Sequence, residues 1–205
     1  MDARDPLAAA RDRFHIPHGL LYLDGNSLGA LPREAAGRTF QTARAQWGED
    51  LIAGWNKHGW IDMPERVGDK IGDLIGAPAG TVVACDTTTV NLYKLLAAAL
   101  AERPDRRTVV SERGNFPTDL YVAEGLFRTL GKGHRLRLVD DAADIAGAID
   151  DDTAAVMLTQ VDYRTGALHD MEALTKAAHA KGALVVWDLA HSAGALPVDL
   201  AGCDA

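Results

Sequence analysis

The chain has 205 residues, of which 47% are hydrophobic and 24% charged, a composition typical of a soluble globular protein with a sizeable core. Its net charge of −8 and its lack of Lys/Arg runs argue against nucleic acid or an anionic membrane as the main partner. Two cysteines without CxxC spacing favour a reducing compartment over a disulfide framework or zinc ribbon. The charged N-terminus and the short apolar runs predict neither a signal peptide nor a membrane span. We therefore expect a cytoplasmic protein.

The first part of the chain, residues 1–60, predicts an N-terminal segment with helices. Residues 20–23 predict a small strand and residues 24–27 a turn. Pro32 suits the first turn of a helix that runs to about Ala53 and stops at Gly54. A second helix over residues 64–75 has apolar positions three and four apart, with Gly76 as its C-cap. We take residues 61–205 as the second domain.

From residue 81 onward, short β-branched runs alternate with helical stretches. The predicted strands are residues 81–84, 108–111, 136–139, 154–159 and 183–187, and the predicted helices are residues 90–102, 118–130, 142–149 and 171–181. This alternation predicts an α/β fold, a mostly parallel sheet with helices on both faces. Ligands of such sheets bind beyond the carboxyl ends of the strands, so we expect the functional residues immediately after each strand.

Polar and aromatic residues follow two of these strands. Thr88 and Thr89 open a helix, where free backbone N–H groups and hydroxyls favour a phosphate. The alternative is that Asp86 or one of the threonines only caps the helix. Phe116 stands directly before Pro117, which begins a helix, and its ring could stack on a planar ligand or be an ordinary core residue.

Asp188 follows the fifth apolar strand, where a carboxylate is poorly solvated and needs a partner. A pyridinium N–H would serve, and the carboxylate would keep that nitrogen protonated. Asp188 could instead cap the next helix, or share a metal with His191, but no HExxH motif or Cys/His cluster supports a metal and we expect none. A phosphate site, a stacking ring and a buried carboxylate together suit a phosphorylated, flat, nitrogen-containing ring.

Five sequence blocks resemble the kynureninases, in their order and spacing. They are residues 22–29 (YLDGNSLG), 88–92 (TTVNL), 116–119 (FPTD), 163–166 (YRTG) and 187–194 (WDLAHSAG). The resemblance runs from about residue 14 to the last residue, roughly the first half of the family's length. It implies a fold type I enzyme of the group that resembles class V aminotransferases, with pyridoxal 5'-phosphate as cofactor. Residues 61–205 would then be a truncated PLP-dependent transferase-like large domain.

The resemblance also implies roles for individual residues. Thr88 and Thr89 would bind the cofactor phosphate, Phe116 would stack on its ring, and Asp188 would pair with the ring nitrogen. The remaining cofactor residues would be Pro117, Thr118, Asp119, Thr159 and His191, with Asp119 near the ring nitrogen. Trp55, His58 and Trp60 would recognise the aromatic amine of the substrate, although a Trp-rich packed loop is an equal alternative.

The implied reaction is hydrolysis of L-kynurenine, and of 3-hydroxykynurenine, to an anthranilate and L-alanine in tryptophan catabolism, by a homodimer. The lysine that bonds the cofactor in this family would lie beyond Ala205, so we expect the 205-residue chain alone to be inactive. Two alternatives stay open. One is a related enzyme such as a cysteine desulfurase, which generally carries a histidine where Phe116 stands. The other is a non-catalytic remnant or one half of a split protein.

Overall fold

The computed structural model describes residues 4–205. The chain divides into two compact units, one that extends through Met63 and one formed by Pro64–Ala205. None of the helices in the described part of the chain has the length and apolar character needed to cross a membrane.

The first unit is built from short elements. A 3-10 helix at Ala8–Arg13 leads into β1 (Phe14–His15), which pairs antiparallel with β2 (Leu31–Pro32). Next come α1 (Arg33–Gln41), a π-helical stretch (Thr42–Trp47), a 3-10 turn (Leu51–Ala53) and α2 (Gly54–Lys57).

Two predictions for this unit are wrong. Residues 20–23 are not a strand: Leu21 and Leu23 are exposed, and an apolar run becomes a strand only where a neighbouring strand supplies hydrogen bonds. Gly54 begins α2 and does not end a long helix. A Cβ at Gly54 would lie 3.2 Å from the Trp60 ring and from the Gln46 carbonyl oxygen, so this glycine allows close packing of the turn against Trp60.

The second unit has three layers, with helices on both faces of one parallel sheet. Helix α3 (Met63–Ile75) leads into it, followed by α4 (Thr88–Glu102), β3 (Thr108–Glu112), α5 (Pro117–Leu130), β4 (Arg135–Val139), a 3-10 turn (Ala142–Asp144), α6 (Ile145–Ala148), β5 (Thr153–Thr159), α7 (Met171–Ala180) and β6 (Leu184–Asp188). The four strands lie in the order β4-β3-β5-β6, and every neighbouring pair is parallel. The predicted α/β fold is confirmed.

Strand alternation divides the core between the two faces of the sheet. On one face Val109, Met157 and Val186 pack with residues of α4 and α5, such as Leu96 and Leu126. On the other face Val110, Val156, Leu158 and Trp187 pack with α6 and α7. Because successive side chains of a strand point to opposite faces, Asp188 shares the face of Val186, which is the α4/α5 face.

The predicted strand at residues 81–84 is absent. Its backbone runs beside α3: the Ala84 N–H donates to the Pro64 carbonyl at 3.0 Å, and a Cβ at Gly68 would lie 1.9 Å from the Val82 carbonyl oxygen. Glycine at position 68 therefore lets the helix approach this extended segment, which pairs with a helix surface and not with a strand. The predicted helix at residues 142–149 is also divided into a 3-10 turn and the short α6.

Candidate functional site

A cavity of about 450 Å³ opens beside the carboxyl end of β6. Its wall includes Asp188 at the end of β6 and Thr88 at the start of α4. Most of the remaining wall consists of apolar side chains of α3, α4, β6 and the segment after β6; they include Ile71, Leu92, Val186 and Leu189. A mostly apolar cavity with a few convergent polar groups is the usual form of a small-molecule site.

The N-terminus of α4 offers polar groups to this cavity. Thr87 is the N-cap, and its hydroxyl accepts from the Val90 N–H at 3.4 Å. Thr88 lines the cavity, whereas Thr89 is not among the lining residues. Asp86, which has a left-handed φ of 45°, forms an ion pair with Lys94. Thr87 therefore caps the helix, which was the alternative role predicted for this segment, and Thr88 remains available for a ligand.

Asp119 and Asp188 form a pair of facing carboxyl groups. Thr159 and Asp188 are register partners at the ends of β5 and β6, and Asp119, in the first turn of α5, lies beside both side chains. Burial, and then the negative charge of Asp188, raise the pKa of Asp119 to about 7. The Asp188 Oδ1 accepts from the Ala190 N–H at 2.7 Å within a turn, so Asp188 does not cap a helix.

Three rings cluster after the strand ends. The Phe116 ring meets Tyr163 edge to face, with centroids 5.1 Å apart. It lies 6.2 Å from the His191 ring, which in turn stacks on Tyr163 at 6.5 Å. The Nδ1 atom of His191 and the Oδ2 atom of Asp119 are both buried and lack hydrogen-bond partners among the described residues. Buried polar atoms normally have partners, so these two atoms are candidates for hydrogen bonds to a ligand.

A buried network around Asn115 holds the segment that carries Phe116. The Asn115 Oδ1 accepts from the Phe116 N–H at 2.7 Å and from the Thr159 hydroxyl at 2.6 Å. Its Nδ2 donates to the Ser111 Oγ at 3.1 Å and to the Met157 carbonyl at 3.4 Å. Asn115 thus connects the end of β3 to β5 and to the start of α5.

The residues predicted to recognise substrate lie in the first unit, where two of them already have partners. The His58 Nε2 lies 2.6 Å from an Asp50 carboxylate oxygen, and Trp60 donates to the Gln46 Oε1 at 2.9 Å. Hydrogen bonds from Lys57 and then His58 hold the pKa of Asp50 below its usual value. Trp55 is half exposed. These contacts join His58 and Trp60 to other residues of the first unit.

The structure thus brings Thr88 and Asp188 to one cavity, and it places Asp119, Thr159, Phe116 and His191 around the adjoining strand ends. Pro117 is the first residue of α5 and Thr118 the second, and neither lines the cavity. Sequence reasoning missed Asn115, Tyr163 and Gln160, the last of which is buried with an unpartnered Oε1. The sequence feature that could have identified all three is a polar or aromatic side chain close to the end of a strand.

The chemistry of these groups fits a flat ring that carries a cationic N–H. Two facing carboxyl groups can share such a donor, and the Phe116 and His191 rings provide surfaces for stacking. Across the described residues, no group of three His, Cys, Asp or Glu side chains is arranged to hold a metal ion.

Comparison with known sequences gives consistent matches. The aminotransferase class-V family matches residues 60–205. The kynureninase of Burkholderia pseudomallei (strain 1106a) is 54% identical over 98% of this chain and 50% of its own length. The kynureninase of Pseudomonas fluorescens is 54% identical over 100% of this chain and 50% of its own length. The chain spans about half the length of the curated relatives it matches.

Solved structures share the fold at low sequence identity. A cysteine desulfurase from Thermococcus onnurineus NA1 matches with a TM-score of 0.75 and 21% identity, over 95% of this chain and 50% of its own. A NifS-like protein matches at 0.74 and 17%, over 90% and 52%. A C-DES mutant with glycine covalently linked to the PLP-cofactor matches at 0.74 and 18%, over 95% and 53%.

Proposed function

Because the chain belongs to the aminotransferase class-V family, we propose that it forms the cofactor-binding half of a pyridoxal-phosphate enzyme that hydrolyses L-kynurenine to anthranilate and L-alanine. The observation that carries the proposal is the facing pair of Asp119 and Asp188 beside the Phe116 and His191 rings. When bound, pyridoxal phosphate supplies a ring that accepts electrons from the substrate.

Each candidate cofactor residue has a defined role in this proposal. Thr88 and the backbone N–H groups at the start of α4 bind the phosphate, with Thr89 beside them. Phe116 holds the ring by stacking, and the wall from Pro117 to Asp119, with Thr159 and His191, limits its position. Asp188 holds a proton on the ring nitrogen, because a carboxylate in a poorly solvated site stabilises a neighbouring cation.

The assignment to kynurenine rests on sequence similarity over the whole chain. Two relatives named kynureninase are 54% identical to it, whereas the cysteine desulfurase is 21% identical and shares the fold alone. By the same resemblance we propose 3-hydroxykynurenine as a further substrate, and Trp55, His58 and Trp60 as residues near its aromatic ring.

The proposal extends to the complete protein. It would act as a cytoplasmic homodimer in the kynurenine pathway, which also feeds NAD biosynthesis. Residues 1–60 would form an N-terminal segment and residues 61–205 part of the large domain. The division of the chain near Met63 supports a boundary in this region.

The test completes the chain with the second half of the Pseudomonas fluorescens relative and measures anthranilate fluorescence after addition of L-kynurenine. We expect turnover by the completed protein. Asp188→Ala in the same protein should lose most activity and still bind pyridoxal phosphate through Thr88 and the helix N-terminus.

Two results would contradict this proposal. A completed, folded protein that binds pyridoxal phosphate but releases no anthranilate would exclude kynurenine as the substrate. Near-full turnover by Asp188→Ala would show that another carboxyl group, with Asp119 the candidate, serves the ring nitrogen.

A further inference from the structure

The segment before α4 is held against the helix by two side chains of the helix itself. The Asn91 Nδ2 donates to the Cys85 carbonyl at 2.7 Å, and its Oδ1 accepts from the Cys85 thiol at 3.3 Å. Lys94, three positions further along α4 and therefore on the same side of the helix, forms the ion pair with Asp86. The helix thus fixes both the backbone that precedes Asp86 and the carboxylate of Asp86.

A carboxylate beside a helix N-terminus usually serves that terminus. It accepts from the unpaired N–H groups there and interacts favourably with the helix dipole. Thr88 and Thr89 are the first two residues of α4, so no carbonyl within the helix accepts from their N–H groups. In the described part of the chain, the Asp86 carboxylate bonds to Lys94 and not to these groups. The N–H groups that a phosphate needs are therefore left open.

We propose that Lys94 is a positioning residue of the phosphate site: it holds and neutralises the Asp86 carboxylate, which would otherwise compete with a phosphate for the start of α4. The inference rests on the proposed function, which places the cofactor phosphate at this terminus. Asp86 is two residues before Thr88, so their Cα atoms lie within about 7 Å of each other. An unneutralised carboxylate at that distance repels a phosphate, and water and salt weaken the repulsion without removing it.

Direct binding of the phosphate by Lys94 is the competing explanation. Thr88 and Asn91 are among the residues that line the cavity, and Lys94 is not; its ammonium group is paired with Asp86 instead. The two explanations differ in the effect of removing both charges. If Lys94 acts through Asp86, the loss of Lys94 does no harm once Asp86 is neutral, whereas a direct contact with the phosphate would be lost in either case.

The experiment titrates the 205-residue chain with inorganic phosphate at constant ionic strength and follows the backbone ¹⁵N–¹H signals of Thr88 and Thr89 by NMR. The Asp86 and Lys94 side chains are 42% and 54% exposed, so we expect a modest effect: Lys94→Met should raise the Kd for phosphate about three- to tenfold. Lys94→Arg keeps the charge and should keep the native Kd. The double variant Asp86→Asn/Lys94→Met should return to within about twofold of the native Kd.

Lys132→Met is the control for net charge. It also removes one exposed positive charge, but Lys132 lies in the turn that leads into β4 (Arg135–Val139), at the amino ends of the strands and away from the site. This variant should bind phosphate as the native chain does. Asp86→Asn alone, which suits the left-handed backbone at this position, should bind phosphate at least as tightly as the native chain.

Four results would overturn the inference. They are an unchanged Kd in Lys94→Met, a double variant as weak as Lys94→Met, weaker binding by Asp86→Asn alone, and a native chain whose Thr88 and Thr89 signals do not respond to phosphate. The Asp86→Asn result decides the matter even if Lys94→Met does not fold. Anthranilate release is measured separately on the completed protein, so its absence would count against kynurenine as the substrate and leave the phosphate result standing.

Discussion

Replacing Asp119 by Asn should change how the stability of the chain depends on pH. An unfolded Asp titrates near pH 4, whereas burial and the Asp188 charge raise the pKa of Asp119 to about 7 in the folded chain. Between these values the folded chain retains a proton that the unfolded chain has lost. The contribution of Asp119 is therefore full below about pH 4 and is lost as the pH rises toward 7.

The size of this effect follows from the difference in pKa. A shift of roughly three units corresponds to about 4 kcal/mol at 1.36 kcal/mol per unit. This is an upper value, because relaxation of the groups around a buried carboxyl reduces the penalty of ionising it. We expect about 2 kcal/mol of stability to be lost in the native chain between pH 4 and pH 7, and most of that loss to be absent in Asp119→Asn.

Urea unfolding at a series of pH values measures this slope. Asp152 is a matched control of opposite sign: a hydrogen bond from Thr108 is the main cause that lowers its pKa, so its contribution is lost as the pH falls. Asp152→Asn should therefore weaken the chain most above pH 4. If Asp119→Asn has the same slope as the native chain between pH 4 and 7, Asp119 is not the group that binds the extra proton.

Two further predictions concern the helix packing and the lysines. Gly68→Ala should destabilise the chain by about 1–3 kcal/mol in urea unfolding, because the new Cβ would lie 1.9 Å from the Val82 carbonyl oxygen. The control is Gly125→Ala in α5, where a Cβ would have its nearest contact at 4.0 Å; it should be neutral or stabilising by up to about 1 kcal/mol. Equal effects of the two substitutions on stability would refute the close approach of α3 to Val82. Treatment of the 205-residue chain with pyridoxal phosphate and borohydride should label no single lysine preferentially, because no lysine is found among the described residues that line the cavity. Peptide mapping that finds one dominant labelled lysine would contradict this prediction.

Sequence patterns predicted the sheet well because its strands are buried on both faces. Residues 154–159 form an unbroken apolar and β-branched run, and β5 is buried at every position, as expected for the centre of a parallel sheet. The place of Asp188 followed from the same pattern, because a polar residue that ends such a strand lies at the carboxyl edge.

The same patterns failed where a contact with another element decides the structure. Residues 81–84 have the composition of a strand, but their backbone partner is α3, through the gap that Gly68 leaves. Asn115 follows a strand and reads as an ordinary turn residue. Its role depends on the distances to Thr159 and Met157, which are 44 and 42 positions away, and no local pattern encodes them.

The position of Asp188 in the candidate site depends on the register in which β5 pairs with β6. Thr159 faces Asp188 in the same register that places Val156 beside Val185. A slip of one residue would turn Asp188 toward α7, among the apolar side chains around Ala178, and would place Trp187 on the face that carries Asp119. A misregistered sheet would then bury an unpaired charge at a cost of several kcal/mol. The residues proposed to hold a ligand therefore also select the correct strand alignment during folding, before any ligand is present.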